Sequence, residues 1–468
     1  MTDTNDNSCW SKNEFADVDL GDERLNLRLI KLAGQFTDQP QAPINQACDD
    51  WADTKAAYRF FDNESVTSAD ILKPHQMRIQ QRMKGLSVVL AVQDTSTLNY
   101  THHPRTSGLG PIASSKQTLK GLMMHTTLAL SVGGLPLGVL TQQIWARPQK
   151  AKGRSYKRKQ QPITEKESFK WLKALAQSVE LKPAGSMLVT VCDREADLYE
   201  FLHYARKLET HYLVRAAQDR GLTSEGGLLW RSLMTCRVAG EIKVALAARK
   251  NESAREATVE VRFSKVSLRP PFRPKAIEME PLPPLEVYAV LVKEVEAPTG
   301  IEPIEWMLLT NVEVINFEQA CERVQWYCCR WQIETYHKVL KSGCRVEESR
   351  LASAERLKRY VALMSVIAWR LFWMSNMNRN DPQAACTTVL TEEEWQALYC
   401  TIHKRKELPK QLPTVYEVVR WIGKLGGFLA RKGDKEPGVT VIWRGWQRLT
   451  DIVATWQLMR SDQFVGNR

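Results

Sequence analysis

Trp326-Tyr-Cys-Cys-Arg-Trp-Gln-Ile-Glu-Thr-Tyr-His-Lys-Val-Leu-Lys341 is the stretch on which the reading of this chain turns. It contains neither Gly nor Pro, and its apolar spacing predicts a helix. At about 100° per residue, Tyr327, Arg330, Glu334, Lys338 and Lys341 share an arc of roughly 80°. Trp326, Cys329, Ile333, Tyr336 and Leu340 fall on a separate arc. One face is therefore apolar, and the other sets a carboxylate amid an arginine, two lysines and a phenol. A carboxylate so placed can hold a metal ion, and the cations can grip phosphates. Taken alone, the helix reads more simply as an amphipathic one with solvated ion pairs such as Glu334–Lys338. The rest of the chain reverses that preference.

The 468 residues are enough for several domains or subdomains, and 43% hydrophobic content is ordinary for a globular protein. No run of eighteen apolar residues occurs, so no transmembrane helix is expected. The polar, acidic start Met1-Thr-Asp-Thr-Asn-Asp is no signal peptide. Ten cysteines without paired CxxC spacing read as reduced thiols, and the expected location is the cytoplasm. The net charge of +12 suits a polyanion, with nucleic acid first, although a merely basic soluble protein fits it too. Fifteen tryptophans suit base stacking as well as core packing.

Residues 1–75 read as helical. A periodic run opens at Leu20-Gly-Asp-Glu-Arg with Asp22 as N-cap, Pro40 and Pro43 break it, a second helix spans about 50–61, and a third begins near Ser68. The segment reads equally as a small DNA-binding domain or as a helical cap on the next domain. Then the pattern changes. Leu86–Asp94, Met123–Leu130, Leu135–Trp145, Met187–Asp193 and His211–Ala216 read as strands, with a hairpin turn at Gly133-Gly134 and helices over 165–179 and 194–208. This order predicts a mixed α/β sheet of five strands with helices. Arg147–Lys159 is a basic loop, either solvated or lying against DNA backbone. Residues of about 220–316 alternate in strand fashion and form an all-β insertion. After the central helix come a buried helix over 354–375 and, from Leu390, further helices punctuated by glycines. The domains expected are 1–75, a core over 76–375 and a C-terminal helical domain over 376–468.

Asp94 and Asp193 share a context, each closing an apolar strand. Active sites of α/β sheets collect at that edge, and neighbouring strands would bring the two carboxylates together. The central helix adds Glu334. Three carboxylates without a histidine cluster point to Mg²⁺ or Mn²⁺. Two such ions about 4 Å apart activate water or a 3′-hydroxyl and stabilise the leaving oxygen of a phosphodiester. Arg330, Lys338 and Lys341 would hold the flanking phosphates.

Tyr327-x2-Arg330-x3-Glu334-x6-Lys341 resembles the Tyr-Arg-Glu-Lys signature of DDE transposases of the IS-four insertion-sequence family, in particular its Tn-five branch. Val92-Gln-Asp94-Thr-Ser-Thr-Leu-Asn-Tyr100 and Val191-Cys-Asp193-Arg-Glu-Ala-Asp197 resemble the two aspartate motifs of that family. Leu20-Gly-Asp-Glu-Arg, Ala57-Tyr-Arg-Phe60, Glu305-Trp306-Met-Leu-Leu-Thr, Leu425-Gly-Gly-Phe and Trp443-x-Gly445-Trp446 carry the resemblance across nearly all of the chain. It implies an RNase H-like core interrupted by the β insertion before the Glu-bearing helix, an N-terminal DNA-binding domain, and C-terminal dimerisation. It implies a homodimer that pairs two transposon ends, cuts by hydrolysis and hairpin formation, and joins the 3′ ends to target DNA. Asp94, Asp193 and Glu334 would bind two ions per active site. Tyr327, Arg330 and Lys341, with Lys338 beside them, would meet transposon-end phosphates. Trp306 would stack on a flipped base, although beside Met307-Leu-Leu it reads equally as a core strand residue. Arg28, Arg59 and Arg215 match residues that contact DNA.

Two departures stand out. Where the family carries an arginine after Tyr100, this chain has Thr101-His102-His103, and the family's Lys-Tyr pair is replaced near Asp38. The second implies that a different terminal sequence is read. The rival readings are a transposon-derived protein that binds DNA without cutting it and an RNase H-like nuclease without strand transfer.

Overall fold

Side-chain caps set the starts of the first long helices. The computed structural model describes residues 10–113, 118–148, 161–224, 227–246, 254–271, 282–431 and 434–461. After α1 (Trp10–Glu14), Asp22 accepts the Arg24 amide and opens α2 (Glu23–Asp38). A single turn, α3 (Ile44–Ala47), leads to Asp50, which caps α4 (Trp51–Asp62). Thr67 and Asp70 form a capping box for α5 (Ser68–Met83). Phe36 of α2 stacks on Phe61 of α4, and both rings meet Tyr360 of a later helix edge-on. The helical start and its breaks thus match the expectation.

The sheet is larger than the one expected. Its strands are β1 (Val88–Asn99), β2 (Gly110–Pro111), β3 (Lys120–Ser131), β4 (Pro136–Trp145), β5 (Met187–Cys192), β6 (His211–Arg215), β7 (Gly240–Leu246), β8 (Arg255–Leu268), β9 (Leu285–Glu294) and β10 (Glu305–Thr310). The order is β2-β3-β1-β5-β6-β10-β9-β8-β7, with β4 also on β3. β1, β5 and β6 are parallel, and the other pairs are antiparallel. The insertion is therefore no separate β unit. Its last strand, β10, pairs with β6, so β7–β10 add four strands to the five-stranded core, and the two-residue β2 on β3 makes the tenth. The insertion also contains a short helix, α8, which pure strand alternation did not predict; α6 (Phe169–Glu180), α7 (Tyr199–Lys207) and α8 (Leu229–Thr235) pack on one face of the sheet.

The opposite face meets α9 (Phe317–Cys328), α10 (Trp331–Lys338) and α11 (Ala354–Asn380). α11 is buried around most of its circumference, because β4, the N-terminal helices and the C-terminal helices all pack on it. The C-terminal helices are α12 (Glu392–His403), α13 (Val415–Leu425, ending at Gly426) and α14 (Val439–Ser461). Trp446 of α14 is fully buried and donates its indole N–H to the Thr37 carbonyl, tying the end of the chain to α2. Nine cysteines of the described residues are free thiols. No helix among the described residues is long and apolar enough to cross a membrane. Residues 149–160, most of the basic loop read from the sequence, lie outside the described residues.

Candidate active site

Strand register builds the site. Val92 pairs with Val191 and Val191 with Leu213, all in parallel strands. Two residues further along each chain stand Asp94, Asp193 and Arg215, which therefore share one level across three adjacent strands about 4.8 Å apart. Side chains alternate between faces. Leu90 and Val92, Val189 and Val191, and Leu213 all enter the core on the helix α10 side, so the side chains of Asp94, Asp193 and Arg215 project to that side. Asp94 is not the end of its strand, as the sequence suggested. β1 continues to Asn99, because β3 pairs with it as far as Gly121. What changes at Asp94 is burial: Val89–Gln93 are buried and the next residues are only partly so. Asp193 does follow its strand directly and caps a 3₁₀ turn by accepting the Glu195 amide at 2.9 Å.

The central stretch is not one regular helix. At Cys329 and Arg330 the hydrogen bonds tighten to i→i+3, from Arg330 to Tyr327 and from Gln332 to Cys329. Past Lys338 the turn widens into a π-type segment, where the Cys344 amide reaches the Val339 carbonyl. The ideal 100° arithmetic therefore fails across it: Tyr327, Arg330 and Glu334 stay together, with Arg330 5.9 Å over the Tyr327 ring, while Lys341 turns to Thr97 and Glu347. Tyr327 turns inward and is 5% exposed, edge-on to Trp306 with centroids 5.1 Å apart. Burial raises the pKa of its phenol, while Arg330 and Arg215 beside it pull the other way. Trp306 is 9% exposed and belongs to the core. Glu334 pairs not forward with Lys338 but back with Arg330, at 2.7 Å. Lys338 is exposed.

Arg330 is the electrostatic hinge. Burial would lower its pKa, but Tyr327, Glu334 and Asp193 outweigh that and raise it. Its guanidinium thus answers the helix carboxylate and one strand carboxylate together. Lys341 donates to the Thr97 carbonyl at 2.9 Å and lies 3.5 Å from Glu347. Arg215 donates to the Glu305 carbonyl at 2.9 Å. The two arginines of the N-terminal helices lie apart from this cluster. Arg28 is half-buried against Asp53 at 2.9 Å, and Arg59 is exposed. In the departing motif, Thr101 bonds Asn99, His103 faces the Glu347 carbonyl at 3.0 Å, and His102 is exposed.

Sequence reasoning missed three neighbours. His337 lies 3.6 Å from Asp94 through its Nδ1. Lys170 of α6 approaches Glu195 at 3.7 Å, lies over the rings of Trp145 and Trp171, and has its pKa lowered by burial against the pull of Glu195, Glu167 and Asp94. Glu347 accepts the Asn99 amide at 2.7 Å and steadies Lys341. His337 was open to detection, since it sits one helical turn after Glu334. Lys170 and Glu347 meet the site only through the fold.

The donor set suits a hard cation. The carboxylates are oxygen ligands, and a positive charge, that of Arg330, already sits in the fields of Glu334 and Asp193. Among the described residues no three His, Cys, Asp or Glu side chains are grouped closely enough to enclose an ion. Asp94 and Asp193 stand level with each other, whereas Glu334 is engaged by Arg330.

Three family profiles match the chain in series. The transposase DNA-binding family matches residues 7–66, the transposase DDE domain matches 84–371, and the transposase Tn5 dimerisation domain matches 366–466. The middle match alone covers more than half of the chain. It spans the whole sheet, the level row of Asp94, Asp193 and Arg215, and the helix that carries Glu334. The chain belongs to the DDE transposases and, with the matches on either side, to their Tn5-like branch.

Proposed function

We propose that this DNA transposase cuts at the ends of its own element by metal-dependent phosphodiester hydrolysis, passes through a DNA hairpin, and joins the freed 3′ ends to target DNA. Asp94, Asp193 and Glu334 are the proposed catalytic and metal-holding residues. The observation that carries this reading is the parallel register that levels Asp94 with Asp193 beneath the helix bearing Glu334. Membership of the DDE family implies dependence on a divalent metal. In this reading the ions are Mg²⁺ or Mn²⁺, two per site, and would activate water or a 3′-hydroxyl and stabilise the leaving oxygen.

The chain's own residues supply the rest. Glu334 would hold the cation together with the two aspartates, and Arg330, now paired with Glu334, would then be available to a DNA phosphate. Lys341, held by the Thr97 carbonyl and Glu347, presents its ammonium beside the end of β1 as a second phosphate contact. Lys338 is exposed on the same helix, and Arg215 stands level with the aspartates, so both extend the cationic track. Tyr327 and Trp306 form a packed aromatic pair next to it. For Trp306 to receive an extruded base, Tyr327 has to move aside, so hairpin formation carries a local opening. Arg28 and Arg59 lie in the DNA-binding region, and Arg59 is the one free to meet DNA without breaking the Arg28–Asp53 pair. DNA binding and dimer formation follow from the flanking family regions. The pairing of two transposon ends by the dimer, the division at about residues 75 and 375, and work on the chromosome in a bacterial cytoplasm are part of this proposal.

The test uses the full chain and a duplex that carries the inverted repeat bordering its gene. Cleavage in Mg²⁺ or Mn²⁺ that stops in EDTA, with a hairpin on the released end, supports the proposal. End binding without any nicking would leave a DNA-binding protein of transposon origin instead, and cutting without hairpin or strand transfer would leave a nuclease.

A further inference from the structure

His337 is a charged-capable side chain in an apolar place. It follows Glu334 by three residues on α10, is 5% exposed, and packs beside the Tyr336 ring at 5.6 Å. Its Nδ1 faces the Asp94 Oδ2 at 3.6 Å. Its Nε2 is buried and has no hydrogen-bond partner among the described residues. An orphaned buried polar atom costs about 1–3 kcal/mol, so an aliphatic side chain would seal this helix–sheet contact at less expense. A histidine here needs another reason, and the polar group it addresses is Asp94.

We propose that His337 is a positioning residue for Asp94. Nδ1 carries the proton and points at Oδ2, which leaves Oδ1 for a cation. At 3.6 Å the contact is longer than a hydrogen bond, so it acts as a dipole aimed at the carboxylate and as a wall that closes off other rotamers. Glu334 and His337 sit one turn apart on α10, so the same helix both supplies a carboxylate and orients another. Groups that orient metal-binding carboxylates commonly change metal affinity by about 10–100-fold when removed. The inference rests on the assignment of Asp94 to the metal site.

The experiment measures Mn²⁺ affinity of the complex with end DNA, by electron paramagnetic resonance of the free ion, for the full chain and for His337→Ala, His337→Asn, His337→Gln and Asp94→Asn. Asparagine places an N–H near the Nδ1 position, and glutamine places one near Nε2. The expected result is a loss of about tenfold or more in Mn²⁺ affinity for His337→Ala. His337→Asn should recover most of it and His337→Gln little, with DNA binding in Ca²⁺ unchanged in all three. If His337→Ala does not fold, the asparagine–glutamine difference carries the test alone. Wild-type Mn²⁺ affinity in His337→Ala, or equal affinity in the asparagine and glutamine variants, overturns the inference. Wild-type affinity in Asp94→Asn overturns instead the assignment on which it rests.

Discussion

At the scale of single residues, Trp306 separates two roles that sequence alone left balanced. It is 9% exposed, sits in the main core and meets Tyr327 edge-on. Trp306→Ala should therefore destabilise the protein by about 3–5 kcal/mol, read by denaturant unfolding, besides any loss at the hairpin step. A change within about 0.5 kcal/mol, the usual range for a surface residue, would mean that the ring is not part of the core. Trp306→Phe keeps much of the packing and so isolates the catalytic effect. Asp94 and Asp193 were legible because an apolar run that turns polar at a carboxylate is a local signal. Their alignment was not legible, since it depends on the Val92–Val191 register. Arg215 joins them at the same level for the same reason, and only the family resemblance had pointed to it. Glu334 had an i,i+4 cation on either side, Arg330 and Lys338, and spacing alone could not say which of the two it meets.

At the scale of elements, a buried polar joint fastens α1 and α5 to the sheet and to α11. The Val139 amide donates to His75 Nε2 at 2.9 Å, so that nitrogen carries no proton and Nδ1 donates to Glu14. Arg82 reaches Glu14 and the Leu137 carbonyl and lies over the Trp369 ring. Gly138, at φ 154°, lets β4 pass under α5, since a Cβ there would sit 2.2 Å from Ile79. Burial pushes the His75 pKa down, and Glu14 only partly restores it. Burial pushes the Glu14 carboxyl up, but His75 and Arg82 outweigh that and lower it. Both groups thus bind fewer protons folded than unfolded, so stability rises with pH. The histidine part is complete above the unfolded value of about 6.5 and fades as pH falls below it. The glutamate part fades at still lower pH. Thermal unfolding should show the midpoint falling between about pH 7.5 and 5.5, and His75→Gln should flatten that fall. An equal fall in both proteins would place the sensitivity elsewhere. None of this joint was visible in sequence, because its members are scattered from Glu14 to Trp369. The helix starts at Asp22, Asp50 and Thr67 were visible, since a cap is written within three residues of the turn it closes.

At the scale of the whole molecule, the sheet ties the insertion to the catalytic core, and α11 ties the core to both helical ends. The insertion's strands were legible but their place in the sheet was not, because strand alternation shows where strands are and not which edge they join. The C-terminal region matches a dimerisation family, and Leu458 and Met459 near the end of α14 are 68% and 71% exposed. Replacing both by Glu should weaken dimerisation by tenfold or more, at least about 1.4 kcal/mol, while the monomer's unfolding stays unchanged. Sedimentation equilibrium with end DNA reads the first, and an unchanged dimer would place the interface on another part of that region. The proposed chemistry stands on Asp94, Asp193 and Glu334 acting as one metal-holding set. The decisive experiment is cleavage of end DNA by the full chain and by Asp94→Asn, Asp193→Asn and Glu334→Gln in Mg²⁺ and in Mn²⁺, with DNA binding followed in parallel. Each variant should bind the end normally and lose cleavage by at least about a thousandfold, a loss of about 4 kcal/mol in barrier. Cleavage near the wild-type rate in any one of the three would contradict a shared metal site.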